Sequence, residues 1–260
     1  MTAKRKGTTV ALVNNKGGVG KTTTAVNLSA GLTALDHTVL LVDLDAQGSA
    51  GLSLGLSRED LRPGAAETIL EGLPVKDGIR RTYVEGLDIL PGSMQLASAD
   101  LVLADLKGRE AILKHVLTPI RKDYDLIVLD CPPSLGLLTV NALTAADHYL
   151  VPVTPDYLSV EGLVNLTDAV ELVRKGIGKV ADLLGIVLTA ADNRLNVTEE
   201  IGTIIRRHYG KQVFRTVIPG NVRLKEAPSF GKTIFDYAAG SAGADAYRKL
   251  TREVLSRLPA

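Results

Sequence analysis

Short apolar runs alternate along the chain with longer segments in which apolar residues recur at helical spacing. The short runs are typical of strands buried on both faces, and the longer segments favour amphipathic helices. The strand-like runs are Thr8–Val13, Val39–Asp43, Leu87–Leu90, Leu126–Asp130, Tyr149–Val153, Leu184–Thr189 and Val213–Ile218. Helical patterns cover Thr22–Ala34, Leu158–Lys175, Thr198–Tyr209 and Ala244–Leu258. This alternation predicts an α/β fold, with a mostly parallel sheet flanked by helices on both faces.

The length of the chain and its uniform composition indicate one domain. Its 260 residues suit a single α/β domain with a substantial core, and we find no linker, internal repeat or low-complexity segment. We therefore expect residues 1–260 to form one domain, with residues 1–7 as a flexible N-terminal tail. The stretch Gly51–Gly86 is the least regular, and we interpret it as an excursion from the sheet.

Composition excludes several classes of protein. Hydrophobic residues make up 45% of the chain, as in globular proteins, and no apolar run approaches the ~20 residues of a membrane helix. The N-terminus is basic but lacks the apolar core of a signal peptide. One cysteine excludes an internal disulfide, and the four histidines show no zinc-ligand spacing. These features predict a cytoplasmic protein.

Charge is distributed unevenly along the chain. The net charge is +1, but residues 190–260 hold 12 Lys and Arg against 7 Asp and Glu, whereas residues 1–189 hold 18 against 22. A basic C-terminal third is compatible with nucleic-acid contact and equally with an ordinary solvated surface. Charge alone leaves these two interpretations open.

The most specific motif is the glycine-rich stretch NNKGGVGKTTT at residues 14–24. Its glycines let backbone N–H groups converge on a phosphate, Lys21 would reach the β- and γ-phosphates, and the Thr22 hydroxyl would ligate Mg²⁺. An apolar strand precedes the motif, and a helix from about Thr23 follows, so its positive end would face the same anion. The predicted nucleotide-binding residues here are Gly17, Gly18, Val19, Gly20, Lys21, Thr22 and Thr23.

Two residues depart from the ordinary phosphate-binding loop. Asn15 stands where the usual motif has glycine, and Lys16 adds a second lysine beside the glycines. A lysine at this place is the mark of the deviant P-loop ATPases. We therefore predict a deviant P-loop NTPase that uses ATP and Mg²⁺ and releases ADP.

Two more strand-like runs end in carboxylates. Asp43 and Asp45 stand at alternate positions at the end of one run, and Asp130 ends another, as in a Walker B element. Open α/β sheets bind ligands at the carboxyl ends of their strands. One carboxylate there can bind the water shell of Mg²⁺, and another can orient the attacking water. The alternative is that the first pair only caps its local loop.

The segment after Asp130 is stiff. Pro132 and Pro133 force an extended exit from the strand, and a segment there that senses the γ-phosphate would suit a switch. Cys131 lies in an apolar run with no histidine nearby in sequence, so we interpret it as a small buried hydrophobe and not as a nucleophile.

Together these elements resemble the ParA/Soj family of chromosome- and plasmid-partitioning ATPases, from Thr8 to about Leu255. The resemblance lies in NNKGGVGKTTTAVNLSAGL, VDLDAQGSAGLSLG, LDCPPSLGLLTVNALTAAD, VPVTPDYLSVEGL and IPGNVRLKEAPSFGKTIFDY. The last two stretches are much more specific to this family than any P-loop pattern. With no DNA-binding helix-turn-helix before the ATPase core, the chain is similar to the short, chromosomal-type members.

The resemblance implies roles for individual residues. Lys16 is similar to the signature lysine that reaches the phosphates of the partner subunit, so ATP would lie between the two subunits of a homodimer. Asp45 matches the residue that positions the lytic water, and Asp43 and Asp130 match the Mg²⁺ shell, which Asp130 would hold through water. The predicted catalytic residues are Lys16, Lys21 and Asp45, and the predicted metal-binding residues are Thr22, Asp43 and Asp130.

A later segment matches the family's adenine site. Pro219 and Asn221 would flank the base, since an Asn amide can supply hydrogen bonds to a base edge. Gly220 stands where the family often has arginine, and this departure weakens a DNA-contact or base-stacking role at that position.

The family also binds DNA non-specifically as its ATP-bound dimer, and a ParB/Spo0J-like centromere-binding protein stimulates its slow hydrolysis. Arg194 and Arg223 match arginines credited with DNA contact, and Lys225 is a further candidate. Weaker candidates, chosen by charge and region, are Arg206, Arg207, Lys211, Lys232 and Arg248. Such contacts to phosphates would make binding sequence-independent and salt-sensitive. A nucleoid-associated protein is therefore expected.

Three other interpretations remain open at this stage. A MinD-like membrane-cycling ATPase would share the deviant P-loop but needs a membrane-binding C-terminal helix, for which the tail YRKLTREVLSRLPA is basic and amphipathic. A nitrogenase-reductase-like carrier needs paired cysteines, whereas Cys131 is alone. A scaffold with inactive ATPase chemistry is disfavoured by the intact Lys21, Thr22, Asp45 and Asp130.

Overall fold

A single sheet organises the computed structural model, which describes residues 7–192 and 195–259. The described strands are β1 (Thr8–Leu12), β2 (Val39–Asp43), β3 (Arg80–Arg81), β4 (Leu87–Leu90), β5 (Leu126–Asp130), β6 (His148–Val153), β7 (Asp182–Ala191) and β8 (Val213–Pro219). They lie in the order β3-β4-β2-β5-β1-β6-β7-β8. Neighbouring strands are parallel except β3 and β4, so the carboxyl ends of β1, β2 and β5 to β8 share one edge of the sheet.

Helices cover both faces of this sheet. The described α-helices are α1 (Lys21–Thr33), α2 (Ser49–Ser53), α3 (Ala65–Leu70), α4 (Val75–Gly78), α5 (Ala99–Leu103), α6 (Ile112–Leu117), α7 (Leu137–Ala145), α8 (Tyr157–Ile177), α9 (Asn196–Tyr209), α10 (Val222–Glu226), α11 (Ile234–Tyr237) and α12 (Ala242–Arg257). Short 3₁₀ turns occupy Met94–Ser98, Thr118–Asp123, Gly210–Gln212 and Ala227–Phe230.

Alternate residues of each strand enter two separate cores. In β1, Val10 and Leu12 pack with α1 and α12, whereas Ala11 packs into the core on the opposite face with α7 and α8. The same alternation divides Leu40 from Leu41 in β2. A strand that is apolar on both faces reads as a continuous hydrophobic run, and this explains why the pattern predicted the α/β sheet correctly.

The sequence missed one strand and placed the ends of others imperfectly. Arg80–Arg81 forms β3, a two-residue edge strand without the apolar residues on which pattern analysis depends. The predicted excursion Gly51–Gly86 holds this strand, the end of α2 and all of α3 and α4. Ala65 and Ile69 of α3 are buried in the same core as the sheet. The excursion therefore packs against the main core.

The last helix packs its apolar face inward. Tyr247, Leu250 and Val254 of α12 are buried against α1 and β8, and the Tyr247 hydroxyl shares a 3.1 Å hydrogen bond with Thr24 Oγ1. Over the residues that the structure describes, no helix is both long enough and apolar enough to cross a membrane.

The predicted N-terminal tail lies outside the described residues except for Gly7. Gly7 is buried, its N–H donates to the Tyr124 carbonyl at 2.8 Å, and its carbonyl accepts from Arg121 Nε at 2.7 Å. Gly7 is therefore part of the folded domain.

Candidate nucleotide-binding site

The glycine-rich loop joins β1 to α1 at the carboxyl edge of the sheet. Gly18 and Gly20 adopt left-handed backbone conformations with φ of 75° and 82°, which residues with a Cβ rarely adopt. A Cβ added at Gly17 or Gly18 would meet nothing within 4 Å, so the loop faces open space. Gly20 also precedes α1, whose first N–H groups point toward the loop. The backbone is therefore shaped to receive an anion.

Two residues that the sequence did not single out fix the shape of this loop. Asn14 donates from Nδ2 to the Pro152 carbonyl at 2.7 Å and accepts the Lys16 N–H on Oδ1 at 2.9 Å. Thr189 donates from Oγ1 to the Val19 carbonyl at 2.8 Å. The loop is thus tied to β6 and β7, on the side of the sheet away from β5. The one available signal was the position of Asn14 and Thr189 at predicted strand ends.

Lys21 lies at the centre of the site, 7% exposed. Its Nζ donates to the Lys16 carbonyl at 2.9 Å. Burial lowers the pKa of Lys21, and the carboxylate of Asp130 is the main influence that opposes the shift. An ammonium held by a backbone carbonyl exchanges that partner for a phosphate at little cost, because the phosphate bond is charge-assisted.

Asp130 is fully buried at the end of β5, and within the described chain neither carboxylate oxygen has a hydrogen-bond partner. Burial, and then the neighbouring Asp43, raises the pKa of Asp130 well above its usual value. The Thr22 hydroxyl lies near enough to favour the charged form, although it makes no hydrogen bond of regular geometry to either oxygen. An unpartnered buried carboxylate is costly without a cation, so Asp130 fits the water shell of a bound Mg²⁺.

Asp43 is opposite Asp130 in the parallel register of β2 and β5. Unlike Asp130, Asp43 has hydrogen-bond partners for both carboxylate oxygens. Its Oδ1 accepts the Asp45 N–H and its Oδ2 accepts the Ala50 N–H, each at 3.0 Å. Burial raises the pKa of Asp43 to about 7 against these hydrogen bonds. Asp43 therefore shapes the loop after β2 and in this way sets the position of Asp45.

Asp45 is partly exposed beyond this strand end, and its Oδ1 accepts the Gln47 N–H at 3.0 Å. Within the described residues, no cluster of three or more His, Cys, Asp or Glu is arranged to hold a metal ion by itself.

The side chain of Lys16 reaches Asp156, the residue just before α8. Its Nζ lies 2.6 Å from Asp156 Oδ2, and both side chains are somewhat less than half exposed. Partial burial favours the neutral carboxyl, but hydrogen bonds from Lys16, Thr154 and Ser159 outweigh it and lower the pKa of Asp156. The two lysines of the loop therefore have separate partners.

The predicted adenine segment follows β8 at the same edge. Pro219 is paired with Ala191, and the Gly220 N–H donates to the Ala191 carbonyl at 2.9 Å. Asn221 caps α10 by accepting the Arg223 N–H at 2.8 Å. Its amide nitrogen makes no hydrogen bond within the part of the chain that the structure describes, so it is available to a base.

The predicted DNA contacts have different surroundings. Arg194 lies outside the described residues. Arg223 is exposed and pairs with Glu226 at 2.9 Å, whereas Lys225 is exposed on the same short helix. Of the weaker candidates, Arg206 and Lys211 line a cavity of about 910 Å³, Arg248 pairs with Asp245, and Arg207 and Lys232 are exposed.

A cavity of about 780 Å³ lies at the other end of α1, between residues 30–38 and the middle of α12, where Arg248, Thr251 and Arg252 line it. Because Ala30–Thr38 is far from the glycine-rich loop along α1, this cavity is separate from the nucleotide-binding site.

The glycine loop and the carboxylates at one edge of a parallel sheet define a P-loop nucleotide-binding protein. A family model described as an AAA domain matches residues 7–182. The chain belongs to the ParA/Soj family of partitioning ATPases. Sporulation initiation inhibitor protein Soj of Bacillus subtilis is 44% identical over 248 residues, covering 95% of this chain and 98% of that protein. Chromosome partitioning protein ParA of Myxococcus xanthus is 41% identical over 251 residues, covering 96% and 89%.

Solved structures agree with this fold. Cobyrinic acid a,c-diamide synthase from Mycobacterium smegmatis, with bound ADP and magnesium, superposes with a TM-score of 0.83 at 33% identity and covers 95% of this chain and 94% of that one. The cell division ATPase MinD of Pyrococcus furiosus superposes with a TM-score of 0.79 at 25% identity and covers 97% and 100%. The predicted P-loop ATPase fold is confirmed.

Proposed function

We propose that this protein is a Mg²⁺-dependent ATPase switch for DNA segregation. In its ATP state it forms a dimer that binds DNA without sequence preference, and a ParB-like partner stimulates hydrolysis and release. The observation that carries the proposal is the open glycine loop with Lys21 and the unpartnered Asp130 at one sheet edge, in a chain of the partitioning family.

Different residues would bind the phosphates, the Mg²⁺ ion and the adenine of ATP. Lys21 would hold the β- and γ-phosphates, and the loop N–H groups would surround them. Thr22 and Asp130 would hold Mg²⁺, with Asp43 behind them, and the ion would neutralise phosphate charge during hydrolysis. Pro219 and Asn221 would flank the adenine. The orphaned carboxylate oxygens of Asp130 support this assignment because a cation would satisfy them.

Hydrolysis needs a group that orients water beside the γ-phosphate. Asp45 suits this role because the backbone N–H of Asp45 is fixed by Asp43 while its side chain is partly exposed. Its position at the rim of the site would let a partner change its surroundings. We therefore assign slow basal hydrolysis to the isolated protein and faster hydrolysis to the partner complex.

The link from ATP to DNA is the dimer. Lys16 would contact the phosphates of the second subunit, so loss of the γ-phosphate would weaken the association. Arg223 and Lys225 lie exposed just after the adenine segment, where two subunits would combine their basic residues. Doubling the number of phosphate contacts raises affinity steeply and makes it depend on salt. Nucleoid association follows from this property.

The test uses the Asp45→Ala variant, in which hydrolysis is blocked and the ATP state persists. Its binding to a random-sequence DNA duplex is measured with ATP and with ADP across a salt series. Tight binding that depends on both ATP and low salt is the expected result. Equal binding in the two nucleotide states, or rapid ATP turnover by this variant, would contradict the proposal. Comparing the variants Lys225→Gln and Arg207→Gln tests where DNA binds. We expect only Lys225→Gln to weaken the dependence of DNA affinity on salt concentration.

A membrane-cycling ATPase is the second candidate, because MinD shares this fold. The structure disfavours α12 as its anchor, since the apolar face of that helix is already buried. Sedimentation with anionic liposomes in the presence of ATP separates the two functions. Binding to liposomes with none to DNA would favour the membrane function.

A further inference from the structure

The lysine predicted to act on a partner subunit is held by its own subunit in this structure. Lys16 Nζ lies 2.6 Å from Asp156 Oδ2. The carboxylate of Asp156 also accepts hydrogen bonds from Thr154 Oγ1 at 2.7 Å and Ser159 Oγ at 2.9 Å. The two hydroxyls orient Asp156, so the ammonium of Lys16 has a prepared site within its own chain.

We propose that Asp156 is a positioning residue that retains Lys16 in its own subunit and thereby raises the protein concentration needed for ATP-dependent dimerisation. The inference rests on the proposed function, because it takes the contact of Lys16 with a second subunit's phosphates as given. Lys16 carries one ammonium group. The carboxylate of Asp156 and the phosphates of a second subunit therefore compete for it, and removing the carboxylate should favour the dimer.

The backbone N–H of Lys16 is held independently of its side chain. It donates to Asn14 Oδ1 at 2.9 Å, a contact that the exchange does not involve. Only the side chain of Lys16 must leave Asp156. Because this side chain is 41% exposed, the ion pair contributes modestly to stability and opens at a small cost.

The surface beside the ion pair suits a second copy of this chain. Tyr157 and Leu158, the first residues of α8, are 82% and 66% exposed, which is unusual for large apolar side chains. A copy seated on them would also exclude water from Asp156. A carboxylate close to an incoming triphosphate then adds like-charge repulsion that less water screens. Competition for Lys16 and repulsion of phosphate act in the same direction, against the dimer.

The dimer dissociation constant tests the inference. Asp156→Asn is made in the Asp45→Ala background, and the constant is measured with Mg²⁺ and ATP by sedimentation. We expect it to fall by roughly twofold to thirtyfold, because two partly exposed pairs open in each dimer. Asn keeps one carbonyl oxygen as the acceptor for Ser159, and its amide N–H can donate to the Thr154 hydroxyl. Asn is also a good residue before a helix, so the fold should be kept. Glu161→Gln is the matched control. Glu161 is exposed on the same helix, and its carboxylate pairs with no described residue. This substitution should leave the constant unchanged.

A second measurement tests the ion pair in the monomer. The pKa of the Asp156 carboxyl, followed by NMR without nucleotide, should lie below its ordinary value and should rise in Lys16→Met. An unchanged pKa would overturn the inference, as would an unchanged or larger dissociation constant for Asp156→Asn. A parent protein that forms no dimer with ATP would overturn the proposed function and this inference together, whereas a parent dimer insensitive to Asp156→Asn would overturn only the inference.

Discussion

The two ends of β5 carry buried aspartates that differ in one respect. Asp125, just before the strand, is 4% exposed, and its carboxylate accepts hydrogen bonds from the N–H and hydroxyl of Thr38 at 2.9 and 3.0 Å. Asp130, at the other end, is fully buried, and neither of its oxygens has a hydrogen-bond partner among the described residues. The same side chain thus stabilises one edge of the sheet and is left unsatisfied at the other. Because unsatisfied buried charge is costly, its presence marks the edge that binds a ligand.

Substitution of Asp130 should separate function from stability. We expect Asp130→Asn to lower Mg²⁺-dependent ATP hydrolysis by about 100-fold or more, because it removes a charge from the proposed metal site. The ligand-free protein should become more stable by about 1–3 kcal/mol, since the variant removes an uncompensated buried carboxylate. Steady-state ATPase assays and urea unfolding measure the two effects. If Asp130→Asn hydrolyses ATP normally, or is less stable than the parent without ligand, Asp130 does not serve ligand binding at the cost of stability.

Substitution of Asp125 should have the opposite pattern. Asp125→Ala leaves the Thr38 N–H and hydroxyl without their acceptor, so we expect the free energy of unfolding to fall by about 2–3 kcal/mol. ATP hydrolysis per folded molecule should stay within twofold of the parent, because the residue is at the far end of β5. Asp123→Ala is the control: Asp123 is exposed and pairs loosely with Lys76, so its loss should change stability by less than about 0.5 kcal/mol. A large loss of hydrolysis in folded Asp125→Ala would count against a purely structural role.

The pH dependence of stability should sharpen the contrast. Burial raises the pKa of Asp43 to about 7 and that of Asp130 well above its usual value. Between pH 4 and 7 the folded protein therefore binds more protons than the unfolded chain, and the stability contributed by these groups falls as pH rises. We expect the stability difference between Asp130→Asn and the parent to grow as pH rises across this range. Urea unfolding without Mg²⁺ or nucleotide measures it, and a difference independent of pH would show that Asp130 titrates normally.

Much of the site followed from local sequence. Asp43, Asp130 and Lys21 were predicted because each follows or ends a local pattern, and parallel strands bring their carboxyl ends to one edge. The parallel sheet was predictable for the same reason, since strands buried on both faces form continuous apolar runs. Two-residue β3 was not, because two arginines give no such signal.

The partners of these residues were not predictable from local pattern. The contacts of Lys16 with Asp156 and of Asn14 with Pro152 join positions about 140 residues apart, and that of Thr189 with Val19 joins positions 170 apart. Such pairs depend on how β1, β6 and β7 are ordered in the sheet. The chemical state of Asp130 likewise depends on neighbours that only the folded chain supplies.

The smallest expected effect concerns Gly220, at the position where the family resemblance led us to expect arginine. Gly220 has no left-handed backbone conformation, and an added Cβ would meet the carbonyls of Ala190 and Ala191 at 3.5 and 3.7 Å, which is ordinary contact. We therefore expect Gly220→Arg to change stability by less than about 0.5 kcal/mol. If this segment faces DNA in the ATP dimer, the added charge should tighten binding and steepen the salt dependence by about one counterion per subunit. Gly220→Ala, which adds the Cβ without the charge, should match the parent in both measurements. A destabilised Gly220→Ala would show that the site has no room, and an unchanged salt slope in Gly220→Arg would place the DNA away from the adenine segment.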